Sequence, residues 1–154
     1  MFRIKDIDKG WKSIMKAVKA PAYHVEVGVF GDSHREGEAA TNAEIALVHE
    51  YGSPSRGIPE RSFLRASIDL HRADYRAFLA AAARKLLDKG SSDMQQAFEL
   101  LGLKAAADVK NLMRLPGYFV PNTPETMRRK GSSQPLIDTG QLISSVSFRV
   151  VKGR

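Results

Sequence analysis

Apolar side chains recur along this chain at two spacings, and the switches between them mark out the elements. Trp11, Ile14, Met15 and Val18 fall at helical spacing with Lys9, Lys12, Lys16 and Lys19 between them. This predicts an amphipathic helix over 8–19, closed by Pro21. Val25, Val27 and Val29 then alternate, as one face of a strand over 23–30 should, with Gly28 on the other face where a helix or backbone can approach closely. Residues 31–41 are mostly polar and contain glycine, which predicts a flexible loop. Thr41-Asn42-Ala43-Glu44 has the form of a capping box and opens a short helix from Asn42 to about His49, with Ile45, Ala46 and Val48 inward.

Gly52 ends that helix, and Pro54, Gly57 and Pro59 keep the next stretch irregular. From Ser62 a longer pattern sets in. Leu64, Ile68, Tyr75, Phe78, Leu79, Ala82 and Leu86 predict a helix stopped by Gly90. At ~1.5 Å per residue it spans roughly 40 Å. Ser92 with Gln95 has a second capping-box form, opening a helix with Phe98, Leu101, Ala105, Val109 and Leu112 inward and Pro116-Gly117 at its end. So short a connection makes the two helices an antiparallel pair.

Residues 117–136 then form an extended arm-like segment, interrupted by a short helix that Thr123 caps, Pro124 begins and Gly131 ends. Asp138 is expected to cap a following helical turn. Val146, Phe148 and Val150 alternate as a second strand, expected to pair with 23–30. The fold class is therefore α+β: a small antiparallel sheet packed against two long antiparallel helices, with an N-terminal helix and short connecting helices. The length of 154 residues suits one domain over 1–154.

Charge adds one feature. Of the net +7, +6 lies in residues 104–154, so the basic surplus is concentrated in the last third. Such a surplus suits a surface near nucleic acid, because neutralising phosphates gives a sequence-independent attraction, but without an aromatic-interleaved basic motif or a helix-turn-helix pattern an ordinary solvated surface is the favoured reading. The absence of cysteine removes disulfides and thiolate metal sites. The N-terminus is too interrupted by charge for a signal peptide, and no apolar run has membrane-spanning length, so a soluble cytosolic product without membrane partners is expected.

No catalytic set is legible. His24, His34, His49 and His71 lie at no metal-binding spacing, and neighbouring His49 and Glu50 on a helix point apart. Nucleophile-elbow, phosphate-loop and dinucleotide motifs are missing. Neither a cofactor nor a metal is expected. Arg61 and Arg65, one helical turn apart, could bind an anion or a partner carboxylate, or could lie on a solvated face.

Two separated stretches carry a family signal. His49-Glu50-Tyr51-Gly52 followed by Ile58-Pro59-Glu60-Arg61-Ser62-Phe63-Leu64-Arg65 resembles the first signature of the small bacteriophage virion-morphogenesis or tail-completion proteins. Arg129-Lys130-Gly131, then Pro135 to Leu142 and Ser145-Val146, is similar to that family's C-terminal signature. Ser62 stands where the family often has proline. The resemblance covers roughly residues 23–152. It implies a structural, non-enzymatic neck or tail-completion subunit that forms a ring, of six copies at family level, at the head-tail junction around the DNA channel.

The resemblance further implies adjoining connector, tail-tube or terminator proteins as partners, and a location in the virion neck or tail, with assembly in the host cytoplasm. In that setting Tyr51, Ile58, Pro59, Arg61, Phe63 and Arg65 are expected at subunit or partner contacts, and Arg128, Arg129 and Lys130 near DNA or an acidic neighbour. The competing classes are a metal-dependent nuclease or hydrolase built from His24, His49, Glu50 and Asp138, and a nucleic-acid-binding accessory protein.

Overall fold

The computed structural model describes Met15 and residues 22–31, 40–89 and 94–153. The helix expected over 8–19, the body of the 31–41 loop and the Gly90-Ser91-Ser92 connection lie outside the described residues, apart from Met15. The fold is α+β. Strand β1 (Tyr23–Val29) pairs antiparallel with β2 (Val146–Lys152), with Val25 opposite Val150, Val27 opposite Phe148 and Val29 opposite Val146. These six residues make one apolar face, because side chains alternate between the two faces of a sheet. The other face carries the exposed Glu26–Arg149 ion pair, with the Arg149 guanidinium over the Phe30 ring.

Helix α1 (Asn42–Tyr51) begins at the expected capping box: the Glu44 amide donates to the Thr41 hydroxyl at 3.1 Å, and the Thr41 amide to the Glu44 carboxylate at 2.8 Å. A single 3₁₀ turn at Pro54–Arg56 follows, within a small loop closed by backbone bonds between Ser53 and Ile58. Gly52, at φ 73°, permits this path. A Cβ there would lie 2.8 Å from the Glu60 nitrogen, so the loop folds back onto a position that no side chain can occupy.

The two long helices are α2 (Leu64–Lys89) and α3 (Met94–Arg114). They run antiparallel, tied midway by the Tyr75 hydroxyl donating to Asp108 at 3.0 Å. This pair packs against the sheet mainly through α3, which lies between the strands and α2 and buries Leu101, Gly102, Ala105, Ala106 and Val109. Small residues let it approach both neighbours. At Gly102 the approach is closest: a Cβ would sit 2.1 Å from the Phe148 ring.

Helix α4 (Pro124–Lys130) has the anticipated Thr123 cap and Pro124 start, and Gly131, in the left-handed region at φ 66°, ends it. The turn α5 (Gln141–Ser145) differs from expectation. Gly140, at φ 81°, occupies the N-cap position, so Asp138, two residues earlier, is not the N-cap residue. The core gathers Phe63, Val109, Leu112, Met113, Phe119, Leu136, Leu142, Ile143 and Val146, where the start of α2, the end of α3 and the C-terminal turn converge.

Candidate interaction site: a capped joint beside a cleft

Glu50 holds the joint between α1 and α2 together. It sits in the last turn of α1 and is only 4% exposed. Its carboxylate accepts from the Leu64 amide at 2.9 Å, the Arg65 amide at 3.0 Å and the Ser62 hydroxyl at 2.7 Å. These amides open α2 and have no partner within their own helix, so Glu50 caps that helix from across the loop. Negative charge is also favourable at a helix N-terminus. Burial pushes the Glu50 carboxyl upward, but the bonds from Leu64, Ser62 and Arg65 outweigh it and hold the group below its ordinary value.

Arg65 completes the cap. Its guanidinium donates to the Glu50 carboxylate at 3.0 Å, the Glu50 carbonyl at 3.1 Å and Glu60 at 2.7 Å, and lies 4.7 Å from the centre of the Tyr51 ring. Tyr51, Glu60 and Arg65 are the outward members of the first signature: Tyr51 is 59% exposed, and the Glu60 and Arg65 side chains 57% and 51%.

Arg61 and Phe63 face inward, contrary to their expected place at a partner contact. Phe63 is fully buried in the core, and Arg61 is 6% exposed. Arg61 donates to the Val120 carbonyl at 2.9 Å, the Pro121 carbonyl at 3.1 Å and Asn122 Oδ1 at 3.2 Å. The one-turn spacing of Arg61 and Arg65 misled because α2 starts at Leu64, leaving Arg61 on an irregular segment where helical geometry does not apply. Asn122 in turn donates to the Gln134 carbonyl at 3.3 Å, and Gln134 to the Met113 carbonyl at 3.3 Å. Arg61 thereby anchors the arm to the joint. Arg61→Ala is expected to destabilise the protein by about 2 kcal/mol by orphaning these acceptors, and to speed hydrogen exchange over residues 118–123. Unchanged exchange there would count against the anchoring role.

Beside the joint lies a cleft of about 840 Å³. Ile45, Ile58, Pro59, Leu136 and Leu142 supply its apolar lining, and Arg129, Lys130 and Asp138 are among its polar residues. Leu136 reaches its position at φ 62°, an uncommon conformation for a side chain without a local hydrogen-bonding group, and is 5% exposed. Of the basic trio, Arg129 and Lys130 line the cleft whereas Arg128 does not.

Among the residues set out as a hydrolase constellation, His49 and Asp138 line the same cleft. His24 instead pairs with Glu26 on the exposed sheet face, and the Glu50 carboxylate is committed to the α2 cap. Among the described residues no three His, Cys, Asp or Glu side chains are grouped to hold a metal ion.

Sequence reasoning missed two roles. Glu50 as a remote cap left one signal: the helix from Leu64 has no acidic residue in its first turn, so its amides needed an acceptor from elsewhere. The anchoring of the arm by Arg61 left none, since its acceptors lie about sixty positions away and two are backbone carbonyls. Comparison with protein-family models, with curated proteins and with solved structures gives no match in any of the three.

Proposed function

We propose that this chain is a structural subunit of the neck or tail-completion ring of a long-tailed bacteriophage, joining tail to head without catalysing a reaction. The observation that carries the reading is that both signature stretches line one cleft. Ile58, Pro59 and Arg61 come from the first, and Arg129, Lys130, Leu136 and Leu142 from the second. Stretches far apart in sequence that build one surface are what a shared assembly role requires. The Glu50 cap and the Arg61 anchor fit a part that must hold its shape under load, because each fixes a loop by side-chain bonds to backbone. In a ring of about six copies, Tyr51 and Arg65 present a cation-aromatic surface to the neighbouring copy, and Arg128 and Arg129 extend the basic side toward DNA or an acidic connector protein.

Electron microscopy of particles assembled without this protein tests the reading. Filled heads and finished tails that remain separate are the expected result. Stunted or overlong tails would replace joining with a role in tail initiation or termination, and intact infectious particles would remove the assembly role.

A further inference from the structure

We infer that the cleft between the joint and the arm is a seat for an extended acidic peptide of another protein, anchored by aliphatic side chains in its floor and by carboxylates against Arg129 and Lys130. The inference rests on the cleft itself and not on the assembly role. Two properties of the lining point to this occupant. Ile45 and Ile58 offer half-buried apolar surface to branched side chains, backed by the buried Leu136 and Leu142, and concave apolar sites with a few convergent polar groups are where ligands are held. Arg129 and Lys130 lie in the last turn of α4 and bring positive charge to that surface. Guanidinium–carboxylate bonds are among the stronger polar contacts available there.

The lining also disfavours the other polyanion. No Phe, Tyr or Trp is among the cleft-lining residues, the His49 imidazole being the one aromatic ring there, whereas single-stranded nucleic acid is characteristically held by stacking successive bases on several such rings. Leu136 gives the floor its shape through a left-handed backbone fixed by burial, and the Arg61 bonds to Val120, Pro121 and Asn122 hold the opposing wall. The seat is therefore largely preformed, which spares the ligand the cost of ordering it.

The test uses the full chain and fluorescence anisotropy with three labelled probes: a peptide alternating leucine and glutamate, its counterpart alternating leucine and lysine, and a ten-nucleotide thymidine oligomer. The expected result is saturable binding of the acidic peptide alone, weakened about tenfold or more by Arg129→Glu and left within about twofold by Arg128→Glu. Arg128 is the matched control because it carries the same charge on the same helical turn but lies outside the cleft. Circular dichroism of both variants checks that they fold alike. Equal losses from the two substitutions would mean a diffuse charge effect and overturn the seat, as would tighter binding of the oligonucleotide or no binding of the acidic peptide. Because the readout is binding by the isolated protein, failure here leaves the particle experiment unaffected.

Discussion

Replacing Glu50 with alanine is expected to lower the stability of the protein by about 3 to 5 kcal/mol. The substitution removes the acceptor for the Leu64 and Arg65 amides and the Ser62 hydroxyl together, and leaves them in a site that water reaches poorly. The Arg65 guanidinium also loses one of its three acceptors, keeping residue 50's carbonyl and Glu60, and this adds little because that side chain is half exposed. Thermal unfolding should register the loss as a fall of some 6 to 20 °C in Tm. The acid limb of the stability profile provides a second reading.

Because the Glu50 carboxyl is held below its ordinary value of 4.5, the unfolded chain binds the proton more readily than the folded one. Its contribution is therefore complete above that ordinary value and disappears as pH falls through the lower folded value. Glu50→Gln should be less stable at neutral pH and flatter in acid than the parent, measured by chemical denaturation at a series of pH values. Parallel acid limbs would show that another carboxylate sets the profile.

The second large effect is expected at Gly102. Gly102→Val should destabilise by about 3 kcal/mol, although valine is a better helix former than glycine. The reason is the Phe148 ring, already where a Cβ would be. Either the ring leaves its place opposite Val27 or α3 lifts from the sheet, and each choice uncovers apolar surface. Adding Phe148→Ala to Gly102→Val should recover part of the loss, so the double-mutant cycle should show a favourable coupling of 1 kcal/mol or more, as an order of magnitude. Additive effects would indicate that the helix accommodates the side chain by bending elsewhere.

Local rules made much of this architecture legible. The Thr41–Glu44 box, the Thr123-Pro124 start and the alternating valines each act within a few residues, and each produced its element close to the expected place. The candidate site was legible only in part. Tyr51 and Arg65 are outward and Arg129 and Lys130 line a cleft, but Arg61 and Phe63 are turned inward. That division depends on where α2 begins, and its beginning is set by Glu50 from another helix rather than by a signal beside Leu64. Asp138 illustrates the same limit: as an acidic residue ahead of a short turn it resembled a cap, while a left-handed Gly140 had already fixed the path.

The pairing of β1 with β2 also orders events in time. Residue 25 meets residue 150, so the sheet closes a loop of nearly the whole described chain, whereas α2 and α3 are sequence neighbours and can associate as soon as both exist. Contacts of such long sequence separation form slowly because the entropy of closing the loop precedes any gain. During synthesis β1 must therefore wait until the C-terminal strand leaves the ribosome, with Val25, Val27 and Val29 still short of a pairing partner. For that interval the growing polypeptide is most open to chaperones and to sticking to other unfinished copies.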